Sequence, residues 1–448
     1  MAVKSSWTLA AGLLLVAAVV GAALLFTAPT PEPEPEASEG KTERLRWVPG
    51  DMHVHSEALA QQGKPEFRLK PEQVQSRLKA AGLEVGSCLI WGVRPAEAAE
   101  HFTGQEKDRL SDPIVHYDLE VSSYGASLVD HMIALNLKEF EHPRRLFTLP
   151  IYRWALAQKG SLVGAAHANH WTPDPLKVPV RRQSQAPTEF PLCVALGLPL
   201  YLATEILDSK GFCNLYYGLL NCGFKVPLAG GSDWPVAGAE PGEVRTWVAV
   251  RGKLTYSKWI EGIRAGRTVV GAYRDFALVT LGKQRALPGD TIELSGGPQS
   301  LPLELRCALA SPQVVQLIVN GEVVQNLQVH NGINKLNLTV TDSCWVALRG
   351  TRVHTGPIYV SFDGRPIRAS AKQAAWFRDY CDTLFGYLRG ETFTANRVAE
   401  ALGREWADPK RYEQERKAAL AAYAPAKAVF ERIRKEAEER AKLLKRAH

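Results

Sequence analysis

The chain has 448 residues, of which 46% are hydrophobic and 23% charged, a composition that indicates a globular protein too long for one ordinary domain. The formal net charge of +7, from 54 basic and 47 acidic residues, is modest, and no dense basic patch with interleaved aromatic residues occurs, so nucleic acid is not expected as a partner. None of the seven cysteines forms a CxxC pair, which argues against a structural zinc site held by thiolates.

The first predicted element is an apolar segment at residues 8 to 26, which contains no charged residue. Lys4 precedes it and an acidic, proline-rich stretch at residues 29 to 39 follows, a polarity that predicts an N-terminus inside the cell and the remaining chain outside the cytoplasm. The segment is nearly long enough to span a bilayer, which favours an uncleaved anchor, while a cleaved signal peptide stays open as the alternative. We therefore expect a membrane anchor or signal peptide at residues 1 to 27, a stiff linker at residues 28 to 42, and an exported or membrane-anchored protein.

Between residues 43 and 275, strand-like apolar runs alternate with helical patterns. The first helix is predicted to begin at Pro71, which suits a helix N-terminus, and to end at Gly82. Further helical stretches are RLFTLPIYRWALAQKG, NLYYGLLNCG and YSKWIEGIRAG, and the strand-like runs include LEVGSCLIW, IVHYDLEVSSYG, SLVGAAH, YLATEIL and VRTWVAV. Repeated βα units predict an α/β fold with a mostly parallel sheet, and their number favours a TIM-like barrel over an open sheet.

The pattern then changes to short runs that alternate with period two, and Asn320-Gly321 between two of them is a hairpin signal. Residues 276 to 365 are therefore predicted to form a small antiparallel β domain. Residues 366 to 448 are expected to form a helical C-terminal extension that is interrupted at Pro425. One apolar face of its last helix is formed by Val429, Ile433, Ala437 and Leu444. We expect this face to pack on the body of the protein or on a partner.

The sequence GDMHVHS places His53 and His55 two residues apart, after the strand-like run LRWVP. Residues i and i+2 of a strand point to the same side, so both imidazoles are expected to leave one face together. Such a pair suits a borderline divalent ion such as zinc, manganese or iron, although an isolated pair can equally be two solvent-facing histidines.

Further candidate ligands occur at the ends of strand-like runs or close after them, and they are Glu120, His131, His167, His170, Glu205 and Asp233. In a parallel barrel the carboxyl ends of the strands meet at one mouth, so these residues are expected to gather there. Because they offer nitrogen and oxygen but no thiolate, they favour a hydrolytic metal site over a structural one. For each histidine the alternative is a hydrogen-bonded core residue, and Glu205 is expected to orient an imidazole rather than to bind the ion directly.

Together these motifs resemble the PHP (polymerase and histidinol phosphatase) family of metal-dependent hydrolases, through GDMHVHS, the spacing from Glu120 to His131 in EVSSYGASLVDH, the GxxAH strand and GGSD. The later segments GRTVV, LIVNGEVV and HTGPIYV resemble its CehA/McbA-like branch, named for carbaryl hydrolase. The resemblance covers about residues 46 to 365. It implies a distorted βα barrel of the PHP type with up to three metal ions at its mouth.

Carried over residue by residue, the first metal position of the family would use His53, His55, Glu120 and Asp233, which are all present. The second position needs a histidine after the second strand, where this chain has Ile90 and Trp91. The third would use His131, His167 and a histidine two residues after the aspartate, where this chain has Pro235. The resemblance therefore implies one complete, one lost and one partial position, and we expect one to two divalent ions per chain.

The predicted function is hydrolysis of a small-molecule substrate, which is an ester, carbamate, amide or phosphoester, by a metal-activated water. His167 or His170 is the candidate general acid for the leaving group, and His170 is also a candidate for the missing ligand nitrogen. The lost ligands favour a carbonyl substrate, and Trp91, Trp171 and Trp234 favour an apolar one if they line a pocket rather than the core. The alternative is a degenerate, non-catalytic metal-binding or scaffolding module of the cell envelope, which the missing ligands would explain.

Overall fold

The computed structural model describes residues 44–61, 64, 68–91, 98–105, 107–122, 130–140, 145–171, 187–329, 331–389 and 408–447. The predicted anchor and linker lie outside this set, so membrane attachment and export stay predictions. Within the described residues, no helix combines the length and the apolar character that crossing a membrane requires.

The elements are numbered here in chain order. The strands are β1 (Leu45–Val54), β2 (Val85–Ile90), β3 (Leu110–Ser111), β4 (Ile114–Val121), β5 (Met132–Leu135), β6 (Leu162–Ala165), β7 (Tyr201–Thr204), β8 (Leu228–Gly230), β9 (Val244–Arg251), β10 (Thr268–Ala272), β11 (Phe276–Leu281), β12 (Thr291–Leu294), β13 (Gln299–Ala308), β14 (Gln313–Val319), β15 (Glu322–Val329), β16 (Gly332–Val340), β17 (Cys344–Arg349), β18 (Val353–Thr355) and β19 (Ile358–Phe362). The α-helices are α1 (Ala58–Gln61), α2 (Pro71–Ala80), α3 (Thr148–Leu156), α4 (Phe190–Ala195), α5 (Lys210–Asn221), α6 (Tyr256–Arg264), α7 (Ala371–Arg389) and α8 (Pro409–Ala447). Short 3₁₀-helices lie at Ala98–His101 and Ala168–His170.

One large mixed sheet forms the body of the protein, and its strands follow the order β12-β19-β17-β18-β10-β9-β1-β2-β4-β5-β6-β7-β8. The pairs β1–β2, β2–β4, β6–β7 and β7–β8 are parallel, as repeated βα units predict. A parallel bridge between Val54 and Trp234 also joins the end of β1 to the segment after β8. The fold is therefore a mixed α/β fold with parallel pairs in its larger sheet.

β5 departs from the predicted alternation, because it runs antiparallel to both of its neighbours, β4 and β6. The connection from Val121 to Met132 is too short for the crossover of a dozen or more residues that a parallel pair needs. The sequence pattern predicts no strand here, since four residues are too few to show a period. The reversal matters for the site, because it brings the start of β5 beside the end of β4.

β1 lies in the middle of the sheet, between β2 and the antiparallel β9, and its residues from Trp47 to Val54 are buried. Its glycine lets α6 close onto the strand, because a Cβ at Gly50 would lie 2.5 Å from the Trp259 ring. The strand that carries the HxH motif is therefore held on both edges and covered by a helix.

In the region after β10, β11, β13 and β16 form a separate three-stranded antiparallel sheet. β14 and β15 form the predicted hairpin around Asn320 and Gly321, whose φ angles of 51° and 86° are the left-handed values that a two-residue hairpin turn requires. Hydrogen bonds between β10 and β18 join this region to the strands that precede it. The domain boundaries at residues 275 and 365 stay predictions.

The C-terminal helices α7 and α8 pack on each other, and the rings of Phe377 and Phe430 stack with centroids 5.1 Å apart. α8 continues through Pro425, so the predicted interruption is wrong. Tyr423 and Phe430 are fully buried on either side of the proline, and this packing holds both halves of the helix in line against the local cost of proline. The predicted apolar face is present, with Ile433 and Ala437 buried and Val429 and Leu444 partly buried.

Candidate metal centre

The HxH motif lies at the end of β1, where His53 is the last residue but one of the strand and His55 follows it directly. Both side chains are buried. The backbone N–H of His55 donates to the Trp234 carbonyl at 2.7 Å. A Cβ at Gly231 would lie 2.5 Å from the Cβ of His53, so the glycine of GGSD lets the segment that carries Asp233 approach the histidine pair.

A buried carboxylate ties these two segments together. Asp51 accepts hydrogen bonds through Oδ1 from the backbone N–H groups of His53 and Ser232, each at 3.1 Å. Its Oδ2 accepts from Ser232 Oγ at 2.6 Å and from the Gly242 N–H at 2.7 Å. Asp51 is not among the site residues that the sequence motifs predict. Its position two residues before His53, on the same face of the strand, is the signal that would have identified it.

The structure brings the candidate ligands into three overlapping groups, and within each group the ligand atoms lie within 4.8 Å of one another. The groups are His53 with His55 and Asp233, His53 with His167 and Glu205, and Glu120 with His131 and His167. Residues from β1 through the segment after β8 therefore meet at one end of the sheet. This is a buried cluster that could hold a metal ion.

The first group, His53 with His55 and Asp233, also faces one oxygen of Glu120. Oδ1 of Asp233 lies 3.2 Å from Nε2 of His53 and 3.2 Å from Nε2 of His55. Oε2 of Glu120 lies 3.3 Å and 3.0 Å from the same two nitrogens. Two imidazoles and two carboxylates thus point at a common space, which is a nitrogen and oxygen set suited to a borderline or hard divalent ion.

The third group, Glu120 with His131 and His167, uses the other oxygen of Glu120. Its Oε1 lies 2.9 Å from Nδ1 of His131 and 3.9 Å from Nε2 of His167. His131 reaches this place because β5 is reversed, so that a residue before the strand lies beside Glu120 at the end of β4. Glu120 therefore separates two pairs of imidazoles and faces each pair with one oxygen.

Glu205 lies behind two of the histidines. Its Oε1 is 3.2 Å from Nδ1 of His167 and 3.7 Å from Nδ1 of His53. Nδ1 of His53 and both carboxylate oxygens of Glu205 are buried, and within the described residues they have no hydrogen-bond partner. Buried polar atoms without partners are rare in folded proteins, so this cluster has the unsatisfied donor and acceptor capacity that a bound cation would use. The residues present therefore fit a metal ion.

One hydrogen bond sets the tautomer of His55. Its Nδ1 lies 3.1 Å from the Leu89 carbonyl, which can only accept, so Nδ1 carries the hydrogen. In the neutral ring, the Nε2 lone pair then points into the first group, where it is available to a metal ion. Metal-bound histidines commonly donate their other nitrogen to a carbonyl or carboxylate in this way.

Two of the candidate ligands have left-handed backbone conformations, with φ angles of 53° at His167 and 52° at Asp233. Such angles are uncommon outside glycine and cluster at functional sites, where the surrounding structure holds them. His167 lies just after β6 and Asp233 just after β8, and the turn at each position directs the side chain into the cluster. The two strained backbone positions therefore belong to residues whose side chains enter the cluster.

Charge within the cluster is balanced by protons on the imidazoles. Burial lowers the pKa of His53, but the charges of Asp233 and Glu120 outweigh it and raise that pKa well above its ordinary value. For His55, burial is likewise outweighed by hydrogen bonds to the same two carboxylates, which raise its pKa to about 9. At His167, the charge of Glu205 outweighs the effect of burial and raises the pKa of the imidazole.

The carboxylates show the complementary effect. Burial opposes ionisation of Glu120, but His53 and His131 lower its pKa well below the ordinary value. His53 and His55 also lower the pKa of Asp233 against burial. All carboxylates of the cluster are therefore held in the ionised form that metal binding requires, and a cation that entered would compete with the protons on the imidazoles.

The remaining predicted site residues lie at the margin of the cluster or outside it. His170 is exposed, and its ring stacks on that of His167 with centroids 5.4 Å apart. Trp91 is half-buried with its ring 6.5 Å from that of His55, whereas Trp171 and Trp234 are buried in the core. The ligand roles of the clustered residues stay predictions.

Comparison of the chain with models of protein families, with curated proteins and with solved structures gave no match. The class that the fold and the cluster define is that of mixed α/β proteins with a possible buried metal-binding site.

Proposed function

We propose that the protein is a metal-dependent hydrolase that holds one or two divalent ions in the buried histidine and carboxylate cluster. The observation that carries the proposal is the position of Glu120, whose two oxygens face two different imidazole pairs. A carboxylate placed in this way can share its charge between two cations, and paired ions about 3.5–4 Å apart are common in hydrolases. Zinc, manganese and iron suit the donor set.

The first ion would be held by His53, His55, Asp233 and one oxygen of Glu120. The second would be held by the other oxygen of Glu120 with His131 and His167. When bound, such an ion supplies Lewis acidity and activates a water molecule for attack on the substrate. Elemental analysis of the purified chain should give one to two divalent ions, and most of the first should be lost in His55→Ala and Asp233→Asn. Full occupancy in both variants would contradict the assignment.

Two further residues would complete the site. The exposed His170 suits the general acid, because it can reach a leaving group and is outside the three ligand groups. His167 suits a ligand better than an acid, since its Nδ1 faces Glu205 and its Nε2 faces Glu120. Glu205 would orient the imidazoles of His167 and His53 as a positioning residue.

The resemblance to the PHP hydrolases and their CehA/McbA-like branch is part of this proposal, together with a distorted βα barrel. The parallel pairs and the bridge from Val54 to Trp234 support a barrel-like closure of the sheet. Glu120 and the GSD aspartate both lie close to the HxH pair, which supports this part of the proposal.

We infer that a small carbonyl compound, an ester, carbamate or amide, is a better substrate than a phosphoester. Ile90 and Trp91 occupy the place of one family histidine, and Pro235 occupies another, so fewer cations would be present to hold a phosphate dianion. A carbonyl substrate develops a single oxyanion, which one Lewis acid can stabilise. A panel of aryl esters, carbamates and phosphoesters should show metal-dependent turnover of the carbonyl compounds first. Faster turnover of the phosphoesters would show the charge argument to be wrong.

The second candidate function is a non-catalytic metal-binding or scaffolding module of the cell envelope. The same missing histidines favour it, because Pro235 stands where the resemblance implies a ligand, and Trp234 beside it is buried. A full metal complement with no turnover of any compound in the panel would favour the module over the hydrolase.

The proposed site of action is outside the cytoplasm, with the chain exported or held at the membrane by residues 8 to 26. The apolar span with Lys4 before it and an acidic run after it supports this topology. Protease added to intact cells should digest the metal-binding region, and the protein should partition with membranes. A cytoplasmic product that keeps its N-terminus would refute the topology.

A further inference from the structure

A cavity separate from the metal centre has a volume of about 340 Å³ and lies where the end of α2, the segment before β9 and the turn after β10 meet. Its size is near the lower end of the range of about 300–1,000 Å³ that small-molecule sites occupy. The side chains that give it chemical character are Arg77, Arg245, Tyr273, Arg274, Glu240 and Glu243.

Arg245 is the buried cation of this cavity, with 4% of its surface exposed. Its Nε donates to the Gly242 carbonyl at 2.9 Å and its Nη2 to the Ala81 carbonyl at 3.2 Å. Among the described residues, no carboxylate lies within ion-pair distance of it, and burial, which outweighs the attraction of Asp51, lowers its pKa to about 10. Buried guanidinium groups are ordinarily paired with an anion, so this one has spare charge and spare donors.

Arg274 and Arg77 add two exposed cations to the same wall. Gly82 makes room for the first of them, since a Cβ there would lie 3.2 Å from the Arg274 Nη2. In the part of the chain that the structure describes, neither arginine has an ion pair. The cavity therefore gathers three arginines whose charges are not neutralised by direct partners.

The two glutamates of the cavity do not supply those partners. Glu243 accepts hydrogen bonds from the Tyr273 hydroxyl through Oε1 and from the Glu240 N–H through Oε2, each at 3.2 Å. Glu240 is exposed at the rim. The cavity thus contains three guanidinium groups and two carboxylates, and one of the carboxylates accepts a hydrogen bond from a tyrosine. This excess of positive charge favours an anionic ligand.

Tyr273 is the strained residue of the rim. Its φ angle of 54° is a left-handed value that a bulky side chain rarely adopts, and 53% of its surface is exposed. The Arg352 guanidinium lies 5.7 Å from the ring centroid. Strain of this kind persists where the surrounding structure imposes it, and it often marks a ligand site. Here it presents a flat ring beside the arginines.

We propose that this cavity binds a small aromatic oxyanion, a single flat ring that carries a carboxylate or phosphate. The arginines would pair with the oxyanion, and the Tyr273 ring would stack on the aromatic group. The proposal does not rest on the hydrolase function. Gly242 donates to Asp51 and Asp51 accepts from the His53 N–H, so the two sites are near neighbours and the test must separate them.

Titration calorimetry on the full chain, with metal removed by a chelator, tests the proposal with benzoate and phenyl phosphate as probes. At least one probe should bind, and Arg274→Gln and Tyr273→Asn should each weaken its binding at least tenfold. Asn tolerates the left-handed conformation, so Tyr273→Asn removes the ring without adding strain, and an unchanged unfolding temperature would verify this. Arg432→Gln on α8 removes the same charge as Arg274→Gln away from the cavity, and this control should bind the probe as the parent chain does. His55→Ala, which changes the metal centre, should also bind the probe as the parent chain does.

Absence of binding by both probes would overturn the proposal, as would equal affinity in the parent chain and the two cavity variants. Loss of binding in His55→Ala with retention in Arg274→Gln would assign the probe to the metal centre instead. Inorganic phosphate that binds as tightly as phenyl phosphate, together with no effect of Tyr273→Asn, would overturn the aromatic part of the ligand.

Discussion

Two buried clusters of carboxylates in this protein have pKa values that are shifted in opposite directions. In the candidate metal centre, Glu120, Asp233 and Glu205 lie against imidazoles, and their pKa values are lowered. In the second cluster, Asp130 and Glu189 are buried together, and their pKa values are raised. Burial raises the pKa of Glu189 to about 8, and burial with the charge of Glu189 raises that of Asp130 well above its ordinary value.

The difference follows from the partners. Asp130 accepts from the backbone N–H groups of Thr188 and Glu189 at 2.8 and 3.1 Å, and Glu189 accepts from the Thr148 N–H at 2.8 Å and from the Tyr423 hydroxyl. These donors tie α8 to the body, but they provide no positive charge, and Oε1 of Glu189 has no hydrogen-bond partner among the described residues. The second cluster is therefore neutralised by protons on its own carboxyls, whereas the first keeps its carboxylates ionised and can exchange imidazole protons for a metal ion.

The largest expected effect comes from removing a ligand of the metal centre. His53→Ala should lower hydrolysis by at least about 100-fold, because even partners outside the ligand shell commonly cost 10–100-fold. Glu189→Gln, in the other cluster, should leave activity within a few-fold of the parent chain. Steady-state rates on the best carbonyl substrate, with circular dichroism to show that both variants fold, make the measurement. Equal loss in the two variants would remove the distinction between the clusters.

A smaller effect is expected at Glu205, whose carboxylate faces His167 and His53 without being needed as a ligand. Glu205→Gln should weaken metal affinity by about 10–100-fold while leaving full occupancy at saturating metal. Competition with a chelator of known affinity measures this. A stoichiometry that falls by one ion at saturation would instead make Glu205 a ligand.

Metal affinity should also depend on pH. Without metal, His55 has a pKa of about 9, so a binding ion must displace its proton. Affinity should therefore rise with pH, by about tenfold per unit for each proton displaced, until the pH passes that value. Manganese titrations between pH 6.5 and pH 8 test this. An affinity that stays flat over the range would mean that no imidazole proton is exchanged.

The last expected effect concerns stability. The Glu189 pKa is about 8 in the folded chain against an ordinary value of 4.5, so the folded state retains a proton that the unfolded state releases between these two pH values. Stability should fall as pH rises through this window, by up to about 1.4 kcal/mol per unit. Glu189→Gln mimics the protonated acid and should flatten this slope. Urea unfolding at several pH values with chelator present measures it, and Glu439→Gln on the exposed side of α8 is the control, which should keep the slope of the parent chain.

Much of the candidate site could be predicted from the sequence because its parts are local. The HxH spacing on a strand, the glutamate and aspartate at strand ends and the glycines of GGSD each follow from a period of two or from a requirement for close approach. The hairpin at Asn320-Gly321 is likewise a property of two adjacent residues. These features need no knowledge of what lies across the sheet.

Other features depended on contacts that the sequence does not display. The reversal of β5 brings His131 to Glu120, and the packing of Tyr423 and Phe430 carries α8 through Pro425. Asp130 directly precedes the candidate ligand His131. Its position in the sequence therefore does not distinguish it from the carboxylates of the metal centre.

The sequence by itself therefore determined which residues bear ligand chemistry and that strands carry them to a common end. Only the tertiary structure decided which carboxylates meet imidazoles and which meet backbone N–H groups. The physical reason is that ionisation of a buried carboxylate depends on the charge of neighbours within a few ångströms, and those neighbours come from distant parts of the chain.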